Sequence, residues 1–329
     1  MQIRFLLLFA LFVLAFIADI VLGSVHLSLR ETWNALTETG GNDVYREIIL
    51  NHRLPKALTA ILAGAALSVA GVLMQTLFQN PLAGPDVLGI TSGSSLGVAL
   101  LTLGASSLPL WVIGGWGQVI AAVAGAVGVL LLVIIVSVKI PHTLSLLIIG
   151  MMFGYFAGAI VSILQSASNP DTLKLFITWT FGSLSSVGWE YMRILAPVIA
   201  IGIFISFLLQ KKLNLLLLGR NYAGGLGVSV PRLRLWILLA TALLAGTSTA
   251  FTGPITFIGI TMPHVARGLF HTSNHHIILP ASLLCGAITL LICDVISQLP
   301  GMQGTLPINA VTALFGAPVI VWIIMKNKG

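Results

Sequence analysis

Four histidines near the end of the chain are the side chains that could most readily bind a metal ion. They are His264, His271, His275 and His276. His271 and His275 are four residues apart and would share one face of a helix that contained both. No carboxylate or cysteine lies near these histidines in the sequence, although such ligands are common in protein metal sites. We therefore expect no metal site.

A possible nucleophilic serine lies in the pattern G-x-S-x-G at residues 93–97. In hydrolases this pattern forms a turn between a strand and a helix and requires partner His and Asp residues. Here it lies inside an apolar segment that predicts a helix. The sequence also contains no G-x-x-x-x-G-K-[ST] phosphate loop and no H-E-x-x-H zinc motif. We expect no enzymatic activity, no ATP site and no cofactor.

The composition is that of a membrane protein. Of the 329 residues, 57% are hydrophobic and 8% are charged, and the mean hydropathy is +1.05. Soluble domains carry about 25% charged residues. The net charge of +7 is typical of basic loops beside a membrane, so lipid and not nucleic acid is the expected environment. The sequence predicts an all-α polytopic membrane protein.

Ten apolar segments are long enough to be considered as membrane spans. They lie at residues 5–22, 55–77, 87–104, 111–137, 144–166, 191–209, 234–252, 256–270, 277–298 and 306–325. The first could instead be a signal peptide, but it exceeds the usual apolar core of one, so we expect a retained span. Lys and Arg are more numerous in the loops on the side of the termini, which predicts cytoplasmic termini.

Three connecting segments differ from ordinary turns. Residues 79–85 contain two prolines and a glycine, which predict a rigid turn. Residues 139–145 form a second Pro-containing connection. Residues 213–234, here called the coupling segment, are moderately apolar but too interrupted to span a membrane. Their composition predicts short surface helices that either dock another protein or simply lie at the membrane interface.

Several long motifs in collinear order resemble the FecCD family of ABC importer permeases. They lie at residues 53–93, 179–189, 218–228, 253–270 and 306–318, together with Asp294. The resemblance covers roughly residues 50 to 325 and implies ten transmembrane helices with short cytoplasmic coupling helices. It also implies one permease domain over residues 1–329.

The resemblance further implies a function and a set of partners. The expected function is import of an iron-siderophore or similar metal chelate across the bacterial inner membrane, with haem or cobalamin as alternatives. The implied partners are a second permease subunit (an identical chain or a close paralogue), two ATP-binding cassette subunits that hold the ATP, and a periplasmic substrate-binding protein.

Matching positions assign expected roles to individual residues. Residues expected to form the cytoplasmic gate are Asn80, Leu82, Thr143 and Leu144. Residues expected at the ATPase contact are Leu218, Gly219, Ala223, Leu226 and Gly227. Arg53 and Lys56 are expected as exposed charges that dock the binding protein, and Gln298 stands where relatives have a third basic residue. Arg220 replaces a frequent acid, and Gly224 and Gly225 weaken helix formation by about 1 kcal/mol each relative to alanine.

An ion-coupled secondary transporter is the more remote alternative. Such transporters place ionisable side chains deep in the membrane. Here only Asp19 and Asp294 fall within predicted spans, and both are near the outer ends. Their scarcity favours the ABC permease.

Overall fold

The computed structural model of the chain describes residues 1–23, 27–37, 43–104, 109–139, 143–298 and 305–326. Every regular element in these ranges is helical. The helices are α1 (Gln2–Val21), α2 (Leu29–Thr37), α3 (Asp43–Glu47), α4 (Leu54–Phe78), α5 (Ile90–Thr102), α6 (Leu110–Ile113), α7 (Trp116–Lys139), α8 (Thr143–Ala167), α9 (Pro170–Thr180), α10 (Trp189–Leu208), α11 (Gln210–Leu217), α12 (Arg220–Gly225), α13 (Val230–Thr241), α14 (Thr247–Thr252), α15 (Ile258–Phe270), α16 (His275–Ser297) and α17 (Ile308–Lys326).

Seven helical stretches in the described ranges are long and apolar enough to cross a membrane. They contain α1, α4, α7, α8, α10, α13 with α14, and α16. A π-helical turn at Ala242–Gly246 joins α13 to α14, and another at Ile48–Arg53 joins α3 to α4. The shorter α5, α15 and α17 coincide with the other three apolar segments of the sequence. The all-helical membrane architecture is confirmed, while ten crossings remain a prediction.

Helix α4 lies at the centre of the bundle. Twenty of its 25 residues are buried, and they are distributed around the whole helix. A helix that is apolar on every side is buried on every side, because each of its faces packs against another helix. It packs mainly against α16 and α15, and also against α1, α10 and α13. Any change at one end of α4 therefore affects several neighbours.

Close approach of the helices depends on small residues. A Cβ atom added to Gly64 on α4 would lie 2.3 Å from the carbonyl oxygen of Gly286 on α16. A Cβ atom added to Gly71 would lie 1.7 Å from the carbonyl oxygen of Gly259 on α15. Helices in membranes commonly associate through such contacts because glycine lets the backbones meet. These contacts join α4, α15 and α16 into one closely packed unit.

The serine pattern at residues 93–97 lies in α5, as predicted, and its glycines pack against α7. A Cβ atom on Gly93 would lie 2.6 Å from the carbonyl oxygen of Gly125, and one on Gly97 would lie 2.1 Å from that of Ala121. The pattern therefore serves helix packing, and the described residues before it contain no strand of the kind that the hydrolase turn requires.

Three short helices lie in regions that the sequence indicated only as loops, namely α2, α3 and α9. A capping box begins α2, because Glu31 accepts the Ser28 backbone N–H at 2.7 Å while Ser28 Oγ accepts that of Glu31 at 3.2 Å. Asn169 caps α9 by accepting the backbone N–H of Thr172 at 3.0 Å, and Pro170 follows at the first helical position.

Candidate functional site

The loop of residues 79–85 is held in a fixed turn at the end of the bundle where α1 begins, here called the N-terminal end. Gln79 ends α4 with a left-handed backbone (φ 49°). Asn80 Oδ1 accepts the backbone N–H of Leu82 at 2.9 Å. His264 on α15 donates from Nε2 to the carbonyl oxygen of Pro81 at 2.7 Å. Asn80 thus shapes the turn, and Leu82, which is 44% exposed, projects from it.

The second expected gate segment begins helix α8. Thr143 begins α8, and Leu144 is 69% exposed. Residues 140–142 and the Thr143 side chain lie outside the described part of the structure. Two turns further along α8, a Cβ atom on Gly150 would lie 2.3 Å from the carbonyl oxygen of Val87. Helix α8 therefore packs, around Gly150, against the chain that leaves the 79–85 loop.

A carboxyl group stabilises the exit of this loop. Thr91 Oγ1 donates to Asp86 Oδ1 at 2.6 Å. Burial raises the pKa of the Asp86 carboxyl, and the hydrogen bond from Thr91 partly opposes that rise. The bond links the short 3₁₀ turn at Pro85–Leu88 to the first turn of α5.

The coupling segment folds as short helices whose bends depend on two glycines. Gly219 precedes α12 with φ 105° and ψ 154°, a conformation that only glycine adopts readily. Gly227 follows α12 with φ 86°. It donates to the carbonyl oxygen of Gly224, and Val228 donates to that of Ala223, both at 3.0 Å, which completes a Schellman motif. The two glycines therefore fix where α12 begins and ends.

One face of this segment is apolar and exposed. Leu218 is 61% exposed, Tyr222 72% and Leu226 59%. Ala223 lies on the side of α12 that faces the bundle and is completely buried, so it is not itself exposed to a partner, and its role at the ATPase contact stays a prediction. Its small side chain lets α12 lie against the bundle. Tyr222 was missed by the sequence analysis, although its place one turn before Leu226 on a helix predicts a shared face.

A polar cavity of about 790 Å³ opens between the coupling segment and the 79–85 loop and is lined by residues of both. The residues that line it are Gln75, Thr76, Gln79, Asn80, Pro81, Leu217, Leu218, Gly219, His264, Arg267, Gly268, Ser273 and His275. Arg267 is held by Gln75, whose Oε1 accepts from its Nη1 at 2.6 Å. The coupling segment and the 79–85 loop, the two segments with expected functions, therefore meet at this cavity.

The histidines are separated by the structure. His271 ends α15 with a left-handed backbone, whereas His275 begins α16, so the shared helical face considered above does not form. His275 is 2% exposed and contacts Thr76 and Asn214. Among the described residues, no group of three or more His, Cys, Asp or Glu side chains could hold a metal ion.

At the opposite end of the bundle, here called the far end, Lys56 lies between two carboxylates. Its Nζ is 2.6 Å from Asp294 Oδ2 and 3.7 Å from Asp19 Oδ1. It also donates to Gln298 Oε1 at 2.9 Å. Lys56 is 4% exposed, and both aspartates are almost completely buried. These side chains join α1, α4 and α16, and we call Lys56, Asp19, Asp294 and Gln298 the far-end cluster.

Arg53 lies beside this cluster and is 6% exposed. Its Nη1 donates to the carbonyl oxygens of Ile20 at 2.8 Å and Val21 at 2.7 Å, at the end of α1. The expectation that Arg53 and Lys56 are exposed is therefore wrong, while their part in docking a binding protein stays a prediction. Buried charges require partners, and the two aspartates near the same ends of their spans were the signal that the sequence offered.

The chain is similar to known proteins over nearly its whole length. A profile of the FecCD transport family matches residues 11–326. The ABC transporter permease protein YvrB of Bacillus subtilis (strain 168) is 35% identical over 97% of this chain and 92% of its own. The hemin transport system permease protein HmuU of Yersinia pestis is 34% identical, over 93% and 90%. The vitamin B12 import system permease protein BtuC of Salmonella typhi is 36% identical, over 84% and 82%.

Solved structures agree with these relatives. A metal-chelate type ABC transporter in an inward-facing conformation superposes with a TM-score of 0.87 and 30% identity, covering 99% of both chains. The PsaBC structure from Streptococcus pneumoniae has a TM-score of 0.56 at 18% identity and shares only the fold. The match over nearly the whole chain, in sequence and in structure, shows that this protein belongs to the FecCD transport family of ABC transporter permeases.

Proposed function

We propose that the chain is the membrane-spanning subunit of a binding-protein-dependent importer driven by separate ATP-binding cassette subunits. The observation that carries the proposal is the exposed apolar face formed by Leu218, Tyr222 and Leu226. Two glycines and a buried alanine hold this face rigidly against the bundle. Because the sequence has no phosphate loop of its own, energy must come from a partner, and this face offers that partner a preformed apolar surface.

The N-terminal end of the bundle is then the cytoplasmic end. The ATPase subunits would meet the coupling segment there, beside the expected gate residues Asn80 and Leu82. A second permease subunit, identical or closely related, would complete the translocation path. Lys and Arg are more numerous in the loops predicted to lie on the side of the termini, and this excess supports the same orientation in an inner membrane.

Docking of a periplasmic binding protein would take place at the far end. Arg53 and Lys56 are engaged inside the subunit and are poorly placed to meet it. Exposed basic side chains at that end are those of Arg30, Arg46, Lys174 and Arg193. Exposed charges guide association and register more than they add affinity, which suits a partner that binds and leaves in each cycle.

The substrate we propose is an iron-siderophore or similar metal chelate, with haem and cobalamin as alternatives within the family. The similarity to a metal-chelate type transporter over 99% of both chains supports this choice. A cavity of about 640 Å³ at the far end is lined by Trp179, Tyr191 and Phe251 and by several hydroxyl side chains. Such a lining suits a bulky, partly aromatic solute that passes without tight binding.

Replacing apolar side chains of this face with charged ones tests the ATPase contact. The double change Tyr222→Glu with Leu226→Glu should weaken association with the ATPase subunit by about 30-fold or more, because two central apolar contacts become charges. The measurement is the recovery of the ATPase with the tagged permease. Leu29→Glu, an equally exposed leucine at the far end, is the control. Undiminished recovery from the double variant would contradict the assignment.

Uptake by the reconstituted complex tests the substrate. Proteoliposomes that contain permease, ATPase and binding protein should accumulate a ferric siderophore in an ATP-dependent and saturable manner. Haemin and cobalamin are supplied in parallel to the same vesicles. Accumulation of only haemin or only cobalamin would replace the proposed substrate with that alternative.

A further inference from the structure

Two hydrogen-bonded links connect the coupling segment with the end of α4, immediately before the 79–85 loop. The first runs from the half-buried Asn214 on α11 to the buried His275 and on to the buried Thr76 on α4. The second is direct, because Gln79 Nε2 donates to the carbonyl oxygen of Leu216, the next-to-last residue of α11, at 3.2 Å. Both links lie at the wall of the polar cavity.

The orientation of Asn214 in the first link is fixed by its neighbours. Asn274 caps α16, and its Oδ1 accepts the backbone N–H of His276 at 3.0 Å. Because Asn274 Oδ1 is an acceptor, the group that meets it at 2.9 Å must be the Asn214 Nδ2 donor. Asn214 Oδ1 therefore points to His275, where it accepts the backbone N–H at 2.8 Å.

The same reasoning places the proton on the His275 ring. Asn214 Oδ1 is also 2.8 Å from Nδ1, so Nδ1 must carry a hydrogen. In the neutral ring Nε2 is then an acceptor. The Thr76 hydroxyl lies 2.8 Å from Nε2 and 2.8 Å from the carbonyl oxygen of Val72, so its one hydrogen is available to both acceptors. His275 and Thr76 line the cavity but are each only 2% exposed, so their side chains are held mainly by protein partners.

We propose that His275 is a positioning residue that transmits movement of the coupling segment to the 79–85 loop through Asn214 and Thr76. The inference rests on the proposed docking of an ATPase on the coupling segment. Movement of α12 is passed to α11 across Gly219, whose N–H donates to the carbonyl oxygen of Leu216 at 3.0 Å. Through His275 and Gln79, α11 then displaces the end of α4 from which the loop begins.

Threonine-to-valine changes on α4 provide a matched test. Thr76→Val keeps the shape of the side chain but removes the donor to His275. Thr59→Val is the control, because Thr59 is also fully buried on α4 and its hydroxyl donates only to its own helix, to Pro55 at 2.8 Å. Thr76→Ser keeps the hydroxyl and should behave as the unchanged protein.

The measurement is the amount of substrate transported for each ATP hydrolysed in proteoliposomes that hold the whole complex. Thr76→Val should lower this ratio about fivefold or more, while ATPase recovery and the rate of hydrolysis stay near those of the unchanged complex. Thr59→Val and Thr76→Ser should keep the ratio. A normal ratio for Thr76→Val would overturn the proposal, since the link would then carry no coupling.

Variants at His275 and Gln79 keep the test decisive if Thr76→Val folds poorly. His275→Asn retains a donor where Nδ1 lies, and His275→Gln retains an amide where Nε2 lies, so each should break the link on one side only. Gln79→Met changes an exposed side chain and removes the second link. We expect all three to lower the ratio, and Thr76→Val with Gln79→Met to lower it most. Unchanged ratios in all of them would also overturn the proposal.

The proposed function can fail separately from this inference. If the unchanged permease recovers no ATPase, the assignment of the coupling segment fails before any ratio is measured. If it recovers the ATPase and all variants transport normally, only the role of His275 is wrong.

Discussion

Replacing Lys56 with methionine should lower the free energy of unfolding by about 3–5 kcal/mol, because two buried carboxylates lose their cation. Asp294 lies 2.6 Å and Asp19 3.7 Å from the ammonium group. Unfolding of the purified subunit in detergent, followed against denaturant, measures the change. Lys174→Met, at an exposed lysine of the same end, should change stability by no more than about 0.5 kcal/mol.

A second substitution separates lost ion pairing from poor packing of methionine. Adding Asp294→Asn to Lys56→Met removes the carboxylate that lay closest to the ammonium group and should restore part of the stability. If Lys56→Met is as stable as Lys174→Met, the far-end cluster does not hold α1, α4 and α16 together.

Two glycine-to-alanine changes in helix interiors should shift stability in opposite directions. Gly71→Ala places a Cβ atom 1.7 Å from the carbonyl oxygen of Gly259, so α4 and α15 must separate, at a cost of about 1–3 kcal/mol. Gly158 on α8 has no atom within 4 Å of such a Cβ. Gly158→Ala should therefore stabilise the subunit by about 0.5–1 kcal/mol, because alanine restricts the unfolded chain.

Thermal unfolding of the two variants beside the unchanged protein in one detergent gives the comparison. Shifts of the same sign in both variants would contradict the packing described for α4 and α15. The contrast does not depend on the absolute stability of the subunit.

The helices that are long and apolar enough to span a membrane were largely predictable from the sequence. Apolar length alone indicated α4, and the prolines after it indicated the turn at residues 79–85. The start of α9 was also encoded, since Asn169 and Pro170 form a typical helix beginning. It was overlooked because a helix of 11 residues does not span a bilayer.

The internal partners of the charged residues were not predictable with the same ease. Arg53 and Lys56 lie at the start of a span, where the sequence pattern is the same for a charge that faces water and for one that faces a neighbouring helix. Which helices surround α4 depends on tertiary packing, and only that packing brings Asp294 to Lys56. Ala223 presents the same difficulty, because an alanine fits both a contact surface and the space beneath a helix.

Helix α4 carries the far-end cluster near one end and Thr76 near the other, about 30 Å apart at 1.5 Å per residue. If the far-end cluster fixes one end of α4 and the coupling segment displaces the other end, α4 tilts about the fixed end. A displacement of ~3 Å at Thr76 then corresponds to a tilt of only ~6°, given that length. Because α15 and α16 pack closely against α4 at glycines, the three helices would tilt together as one unit. Spin labels placed near Thr76 and near Lys56, with and without ATP, would show whether the end of α4 at Lys56 stays fixed while the end at Thr76 moves.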